Sequence, residues 1–327
     1  MLKPLKFKPI YKERIWGGTL LNEVYGRKLP VTKEPVGESW EISAVEGDES
    51  VVCSGMLEGN NLSELIEIYM DELVGESVYE RFGGEFPLLI KLIDAQDNLS
   101  IQVHPDDELS AARHGAYGKT EMWYVLSAEE GATLYMGFKE QTTKEKYMEY
   151  LEAGKLEYLL ASYEVKAGDT FFIPAGTIHA IGKGILIAEI QQTSDITYRV
   201  YDFNRVDSQG KSRELHTTLA LDAIDYSVRE DLVVTKTPVK NQRVEIQSCK
   251  YFASELLELE GRAEFNYSDR DSFTIFICLE GECVVSTEAG DETPLTKGES
   301  LLIPACLSSV NIEGSTRLIS TWIPKAE

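Results

Sequence analysis

The 327-residue sequence predicts an all-β core with helical decorations, arranged as two jelly-roll-type β-barrels of which the second lacks a metal site. Three observations carry this expectation. Between residues 85 and 205, short apolar or alternating runs bounded by Gly, Pro and Asp follow one another: Pro87 to Leu92, Leu99 to His104, Met122 to Leu126, Thr133 to Met136, Thr170 to Ile173 and Ile185 to Gln191. Runs of that length and period read as strands. Helical spacing is confined to about Leu62 to Phe82, Thr143 to Ser162 and Ser212 to Val228, the first opening with Asn61 or Ser63 as N-cap. Finally, the chain repeats itself.

In that repeat, Lys166 to Ala175 aligns without gaps to Thr296 to Ala305, sharing Gly168/Gly298, Ile173/Ile303 and Pro174/Pro304. Gly168-Asp169 lets one strand reverse, Pro174 ends a strand where no ladder donor is needed, and Gly176 permits a backbone conformation closed to most residues. In the second copy Cys306 stands where Gly176 was and Ser309 where His179 was. A second barrel that kept its turn but lost a ligand is the natural reading, with Leu279 to Val285 as a hairpin leading into it. The polar stretch from Leu232 to Gln242 places the boundary, giving a catalytic domain with helical insertions over residues 1–235 and a metal-free β domain over 236–327.

Composition narrows the function. Lys and Arg number 32 against 55 Asp and Glu, a formal charge of −23 that repels nucleic acid and anionic lipid, and no basic run offsets it. No nucleic-acid or membrane partner is expected. The five cysteines form no CxxC, are odd in number and sit mostly in apolar runs, so reduced thiols in the cytoplasm are expected. The N-terminal stretch is broken by charge and proline before an apolar h-region forms, and no apolar run approaches the ~20 residues of a membrane span. Oligomeric state is not legible.

Four residues converge as candidate metal ligands. Gln102 and His104 are two apart on one strand and so share a face. Glu121 precedes the apolar run Met122 to Leu126, and His179 follows the Gly168 to Gly176 turn. Two imidazoles, a carboxylate and an amide oxygen form a borderline-soft set that suits zinc first, then other divalent transition metals such as Mn, Fe or Co. The remaining histidines, His114 and His216, read as solvated imidazoles.

At this point three long motifs, Leu99 to Pro105, Gly118 to Tyr124 and Ile190 to Asp202, together with Arg14-Ile15-Trp16-Gly17-Gly18 and Gly37-Glu38-Ser39-Trp40-Glu41, make the chain resemble type I mannose-6-phosphate isomerase, a family of the cupin superfamily. The resemblance is strong from about residue 5 to 205. It implies one zinc ion on Gln102, His104, Glu121 and His179, a phosphosugar substrate, and interconversion of mannose 6-phosphate and fructose 6-phosphate. It also implies an active-site role for Arg199 and action on substrate by Lys91, Lys119 and Asp195. The short spacing between Glu121 and His179 resembles the short form, without the helical insertion that covers part of the site in longer relatives.

Aldose–ketose isomerisation through a cis-enediolate needs an electrophile on the sugar oxygens and a base that moves a proton between C1 and C2. Lys119, two residues before Glu121, shares its strand face; desolvated near a dication, its amine is expected to have a lowered pKa and to act as acid/base. Asp195 is the competing base, and a hydride shift is a further route. Arg199 offers a planar fork for phosphate or an enediolate oxygen, and Lys91 and Lys119 complete the positive cluster that a phosphorylated substrate needs.

Overall fold

The computed structural model describes residues 2–325. Strands hold 40% of the chain and helices 17%, so the mostly-β expectation stands. Two compact units form. One comprises Tyr11–Trp40 and Ile90–Val234; the other comprises the segment ending at Ile10, Glu41–Leu89, and the chain from Thr235 onward. The units change at Val234/Thr235, and the chain before that point is divided between them, unlike a contiguous 1–235. Backbone pairing explains the difference: Leu5 bridges to Leu302, Ala305 N–H donates to Leu73 O at 3.0 Å, and Asp271 accepts from Glu76 N–H and Ser77 N–H at 2.8 Å each.

The first of these units is built on two sheets. One runs Ile10–Glu13, Val36–Ile42, Leu88–Ala95, Ile185–Gln192, Glu121–Ala128, Thr170–Ile173 and Val233–Val234 in spatial order. The other runs Tyr198–Tyr201, Ile101–Val103, His179–Ile181, Thr133–Phe138 and Leu160–Glu164. Trp123, Val125, Phe171 and Ile187 from the first sheet pack in one core with Leu134, Met136 and Ile181 from the second. Alternate residues of each strand feed that core, as period-two patterning demands. Strand positions expected from the sequence recur within a few residues, Thr170–Ile173 without change.

The second unit carries a six-stranded sheet in which Arg243–Ser248, Ala253–Asn266, Ser309–Trp322, Thr274–Thr287 and Glu292–Thr296 lie side by side, with Ser300–Ile303 also paired to Thr274–Thr287. Leu279 to Val285 is not a hairpin here but the middle of the 14-residue strand Thr274–Thr287. Glu280-Gly281-Glu282 has turn composition, yet Gly281 serves a bulge: its φ is 71°, the register shifts between Cys278 and Glu280, and a Cβ there would lie 2.0 Å from Ser315 O.

The internal repeat is a repeat of geometry. Gly168 and Gly298 have φ of 94° and 84°. Asp169 N–H donates to Lys166 O at 3.1 Å and Glu299 N–H to Thr296 O at 3.0 Å. His179 opens the strand His179–Ile181 and Ser309 opens Ser309–Trp322, where its hydroxyl donates to Glu288 at 2.6 Å. The same turn thus delivers an imidazole in one unit and a hydroxyl in the other.

The helices are shorter than their periodicity suggested. Leu62 to Phe82 divides into Leu62–Val74 and Glu76–Phe82 at Gly75, whose φ of 99° breaks the ladder. Thr143 caps Lys144–Glu152, after which a 3₁₀ turn leads into the strand Leu160–Glu164. Only Thr217–Ala223 forms in the third segment, and Asp107–His114, unforeseen, forms on the cap of Asp106. At the first helix Asn61 accepts from Glu64 N–H at 2.8 Å and Glu64 accepts from Asn61 N–H at 3.0 Å, a reciprocal capping box. We expect Asn61→Ala to lower the unfolding free energy by about 1 kcal/mol while Ser63→Ala stays within about 0.5 kcal/mol, read from urea midpoints.

Candidate metal centre and substrate cavity

The two sheets of the Tyr11–Trp40 and Ile90–Val234 unit bring the four expected ligands together. In one sheet Gln102 pairs directly with His179 on one side and with Arg199 on the other. In the other, Glu121 opens its strand opposite Ile173 and Gln191. His104 follows immediately after the Ile101–Val103 strand. Across the gap, Glu121 Oε1 lies 3.4 Å from His179 Nε2 and Glu121 Oε2 lies 3.7 Å from His104 Nε2. The Gln102 amide comes within 3.2 Å of His179 Nε2, and a half-turn of that amide presents its oxygen to the same space.

Backbone carbonyls set both tautomers. His104 Nδ1–H donates to Ile196 O at 2.9 Å and His179 Nδ1–H donates to Thr177 O at 2.8 Å, so each neutral ring turns a bare Nε2 lone pair toward Glu121. Burial keeps the rings neutral: it pushes His104 well below the usual imidazole range, aided by Lys119, and His179 down to about 4. Burial also raises Glu121 to about 7, against the pull of Lys119. His104 Nε2 and both Glu121 oxygens are buried without hydrogen-bond donors. Acceptors gathered this way repel one another unless a cation sits among them. The donor set therefore fits a divalent metal, and His104, Glu121 and His179 form a cluster of ligand atoms all within 4.8 Å of one another.

Beside this cluster, buried charges alternate in sign. Lys119 Nζ lies 3.1 Å from Glu121 and 3.7 Å from Glu189; Lys91 Nζ lies 3.1 Å from Glu189. Glu189 also accepts from Trp123 Nε1 at 2.9 Å. Lys91 sits 5.2 Å from the Trp40 ring centroid, and Trp40 Nε1 donates to Glu38 at 2.8 Å. Arg14 closes the series with a two-point grip on Glu38, 2.7 Å from Nε and 3.0 Å from Nη2. At Lys119 burial opposes the charge, but Glu121 and Glu189 outweigh it and hold the ammonium above its ordinary value. Lys91 is the lysine that burial lowers, with Glu189 resisting.

Glu38, Glu189 and Arg14 were not foreseen as individual site residues. Glu189 had a signal, being a lone carboxylate in the apolar run Ile185 to Ile190 on the same strand face as Gln191. The glycines of the Arg14 motif also gain a reason. A Cβ on Gly37 would meet the Arg14 side chain at 2.6 Å and the Trp16 ring at 2.7 Å, so the Arg14 segment packs directly on the Glu38 strand.

A cavity of about 570 Å³ opens onto this network, large enough for a small ligand. Gln102, Lys91, Lys119 and Glu189 line it, together with Arg14, Trp16, Arg199 and Arg213. Asp195 lines it too, but as an exposed residue outside the buried ion-pair series. Arg199 Nη1 donates to Glu214 O at 2.9 Å, while its Nε is buried without a partner. Of the two remaining histidines, His114 is exposed with Nε2 2.7 Å from the Tyr198 hydroxyl, and His216 Nδ1 accepts from Arg199 N–H at 3.2 Å.

Comparison with known proteins agrees with this arrangement. The family described as phosphomannose isomerase type I, catalytic domain, matches residues 5–133, and that described as mannose-6-phosphate isomerase, cupin domain, matches residues 242–323. The chain is 39% identical over 321 residues to mannose-6-phosphate isomerase ManA of Bacillus subtilis, covering 97% of this chain and 98% of that protein. It is 37% identical to the mannose-6-phosphate isomerase of Streptococcus mutans, covering 98% of each. The crystal structure of the mannose 6-phosphate isomerase from Bacillus subtilis superposes with a TM-score of 0.84 at 33% identity, covering 98% of this chain and 99% of that one. Likeness along essentially the whole chain, with the quoted motifs converging in one buried site, shows that it belongs to the type I mannose-6-phosphate isomerase family.

Proposed function

We propose that this chain interconverts mannose 6-phosphate and fructose 6-phosphate through a cis-enediolate, with one divalent ion, zinc first, held by Gln102, His104, Glu121 and His179. The observation that carries the reading is the buried acceptor cluster of His104, Glu121 and His179 beside Lys119, in a chain of this family. When bound, such an ion supplies Lewis acidity toward a sugar oxygen and offsets developing negative charge there.

The chain's own residues have the remaining work. Lys119, kept protonated between Glu121 and Glu189, is suited to donate to a sugar oxygen. Asp195, an exposed carboxylate on the cavity wall, is suited to accept the proton that moves between C1 and C2. Trp16, Leu99 and Ile181 supply apolar wall that keeps bulk water from the reacting carbons. Lys91, Lys119 and Arg199 give a phosphosugar the local positive charge it needs in a chain of net charge −23. The cytoplasm is the compartment we propose: all five cysteines are free, and no described helix is long and apolar enough to cross a membrane. Residues 235–327 contain no histidine, which supports a metal-free role for that part.

Chelation should abolish conversion of mannose 6-phosphate and added zinc should restore it; activity that persists in metal-free protein would refute the metal assignment. Glu189→Gln removes the carboxylate that Lys91 and Lys119 share and should cost about 3 kcal/mol in urea unfolding. For Glu38, burial works against the charge, but Arg14 and Lys91 lower its pKa from 4.5 to about 2. A lowered carboxylate contributes stability that is complete above the unfolded value and is lost as pH falls through the folded one. Glu38→Gln should therefore flatten the pH dependence of unfolding free energy between about 4.5 and about 2, measured by denaturant titration across that range.

A further inference from the structure

The deep lysines have carboxylate partners, whereas the arginines nearer the loop segments do not balance in the same way. Lys91 and Lys119 each lie 3.1 Å from a buried glutamate, whereas Arg205 and Arg213 share the one carboxylate of Asp202. Arg199 and Arg213 line the same cavity. The segment before the helix Thr217–Ala223 is zipped onto the Tyr198–Tyr201 strand: His216 N–H donates to Arg199 O at 2.7 Å and Glu214 O accepts from Arg199 Nη1. That zipper sets Arg213 beside the strand. Asp202, nearly buried, then grips Arg213 at two points, 2.8 Å from Nε and 2.5 Å from Nη2, while also accepting from Arg205 Nη2 at 2.8 Å. The grip fixes the guanidinium plane and leaves Nη1 without a hydrogen-bond partner among the described residues.

The other carboxylates near this end are already engaged. Glu34 accepts from Ser208 N–H at 2.7 Å, Glu13 from Glu34 N–H at 3.1 Å, and Asp207 from Gln209 and Lys211 N–H at 2.9 and 2.8 Å. Asp195 and Lys33 also face the cavity. Burial and the neighbouring cations Arg213, Arg14 and Arg205 all disfavour charge on Arg199, with Asp202 opposing, the condition of an anion site awaiting its anion.

We propose that Arg213, oriented by Asp202 and set against Arg199, forms the pole that recognises the phosphate of the substrate and so selects phosphorylated over free sugar. The inference rests on the isomerase reading above. Arg213 is the specificity residue and Asp202 its positioning residue. Two charge-assisted hydrogen bonds from a fixed fork are consistent with about 10- to 100-fold in affinity.

The test is steady-state kinetics on zinc-loaded wild type, Arg213→Gln, Arg213→Lys and Asp202→Asn, with inorganic phosphate as competitive inhibitor. Arg213→Gln should raise KM for mannose 6-phosphate and Ki for phosphate together by about 10-fold or more while kcat moves less than about threefold. Arg213→Lys, which keeps the charge but loses the fork, and Asp202→Asn, which keeps the arginine but frees it, should fall between. A KM and Ki within about twofold of wild type in Arg213→Gln, or a loss confined to kcat, overturns the proposal. If wild type turns over no mannose 6-phosphate, the isomerase reading fails on its own. Calorimetric binding of inorganic phosphate, weakened in Arg213→Gln or unchanged, then decides the arginine pole separately.

Discussion

Glu121 faces two histidine Nε2 atoms in a buried space whose nearest donors are the ammonium of Lys119 and the amide of Gln102, and the surrounding architecture is arranged around that conflict. Two carbonyls, Ile196 O and Thr177 O, hold the rings in the orientation that creates it. Neither ring can relieve it by protonation near neutral pH, because burial keeps both imidazoles neutral. A cation among these acceptors would relieve the conflict. The two sheets must also hold their separation, since Glu121 comes from one and His179 from the other, and the shared core of Trp123, Phe171, Met136 and Ile181 does so.

From that centre outward, charge alternates: Glu121, Lys119, Glu189, Lys91, Glu38, Arg14. Buried ion pairs of this kind contribute little net stability, because desolvation cancels much of the attraction. Their value is positional. The lysines of the series lie between carboxylates, so the one beside the candidate ligands keeps a defined place. The aromatic rings of Trp40 and Trp123 lend N–H donors to Glu38 and Glu189 and fill the space between the charged groups.

The repeated turn carries an imidazole in one unit and a hydroxyl in the other. Gly168-Asp169 and Gly298-Glu299 make the same reversal with the same backbone hydrogen bonds. One residue at the start of the following strand differs, His179 in one and Ser309 in the other. In the second unit the core is instead filled with apolar side chains such as Phe276, Leu301, Ile303 and Leu318. The turn is therefore a backbone device, and the chemistry depends on which side chain it carries.

The sequence by itself carried the mostly-β class, the strand Thr170–Ile173 and the internal repeat, and it nominated the four candidate ligands, because each rests on local patterning or on residue chemistry that survives in one dimension. The motifs around Gln102, Glu121 and Asp202 also carried the family likeness. Other features were legible only in three dimensions. Glu38, Glu189 and Arg14 join the site through partners distant in sequence: Glu189 stands 3.7 Å from Lys119 and Arg14 grips Glu38. Leu279 to Val285 reads as a turn but is paired with Ser309–Trp322 on one side and Glu292–Thr296 on the other. The segments ending at Ile10 and spanning Glu41–Leu89 pair with strands and loops near the other end of the chain, and helix lengths were cut by Gly75 and by strand pairing at Leu160. In each case a long-range hydrogen bond or ion pair overrode a local preference worth only a few tenths of a kcal/mol per residue, about the scale of helix and strand propensity.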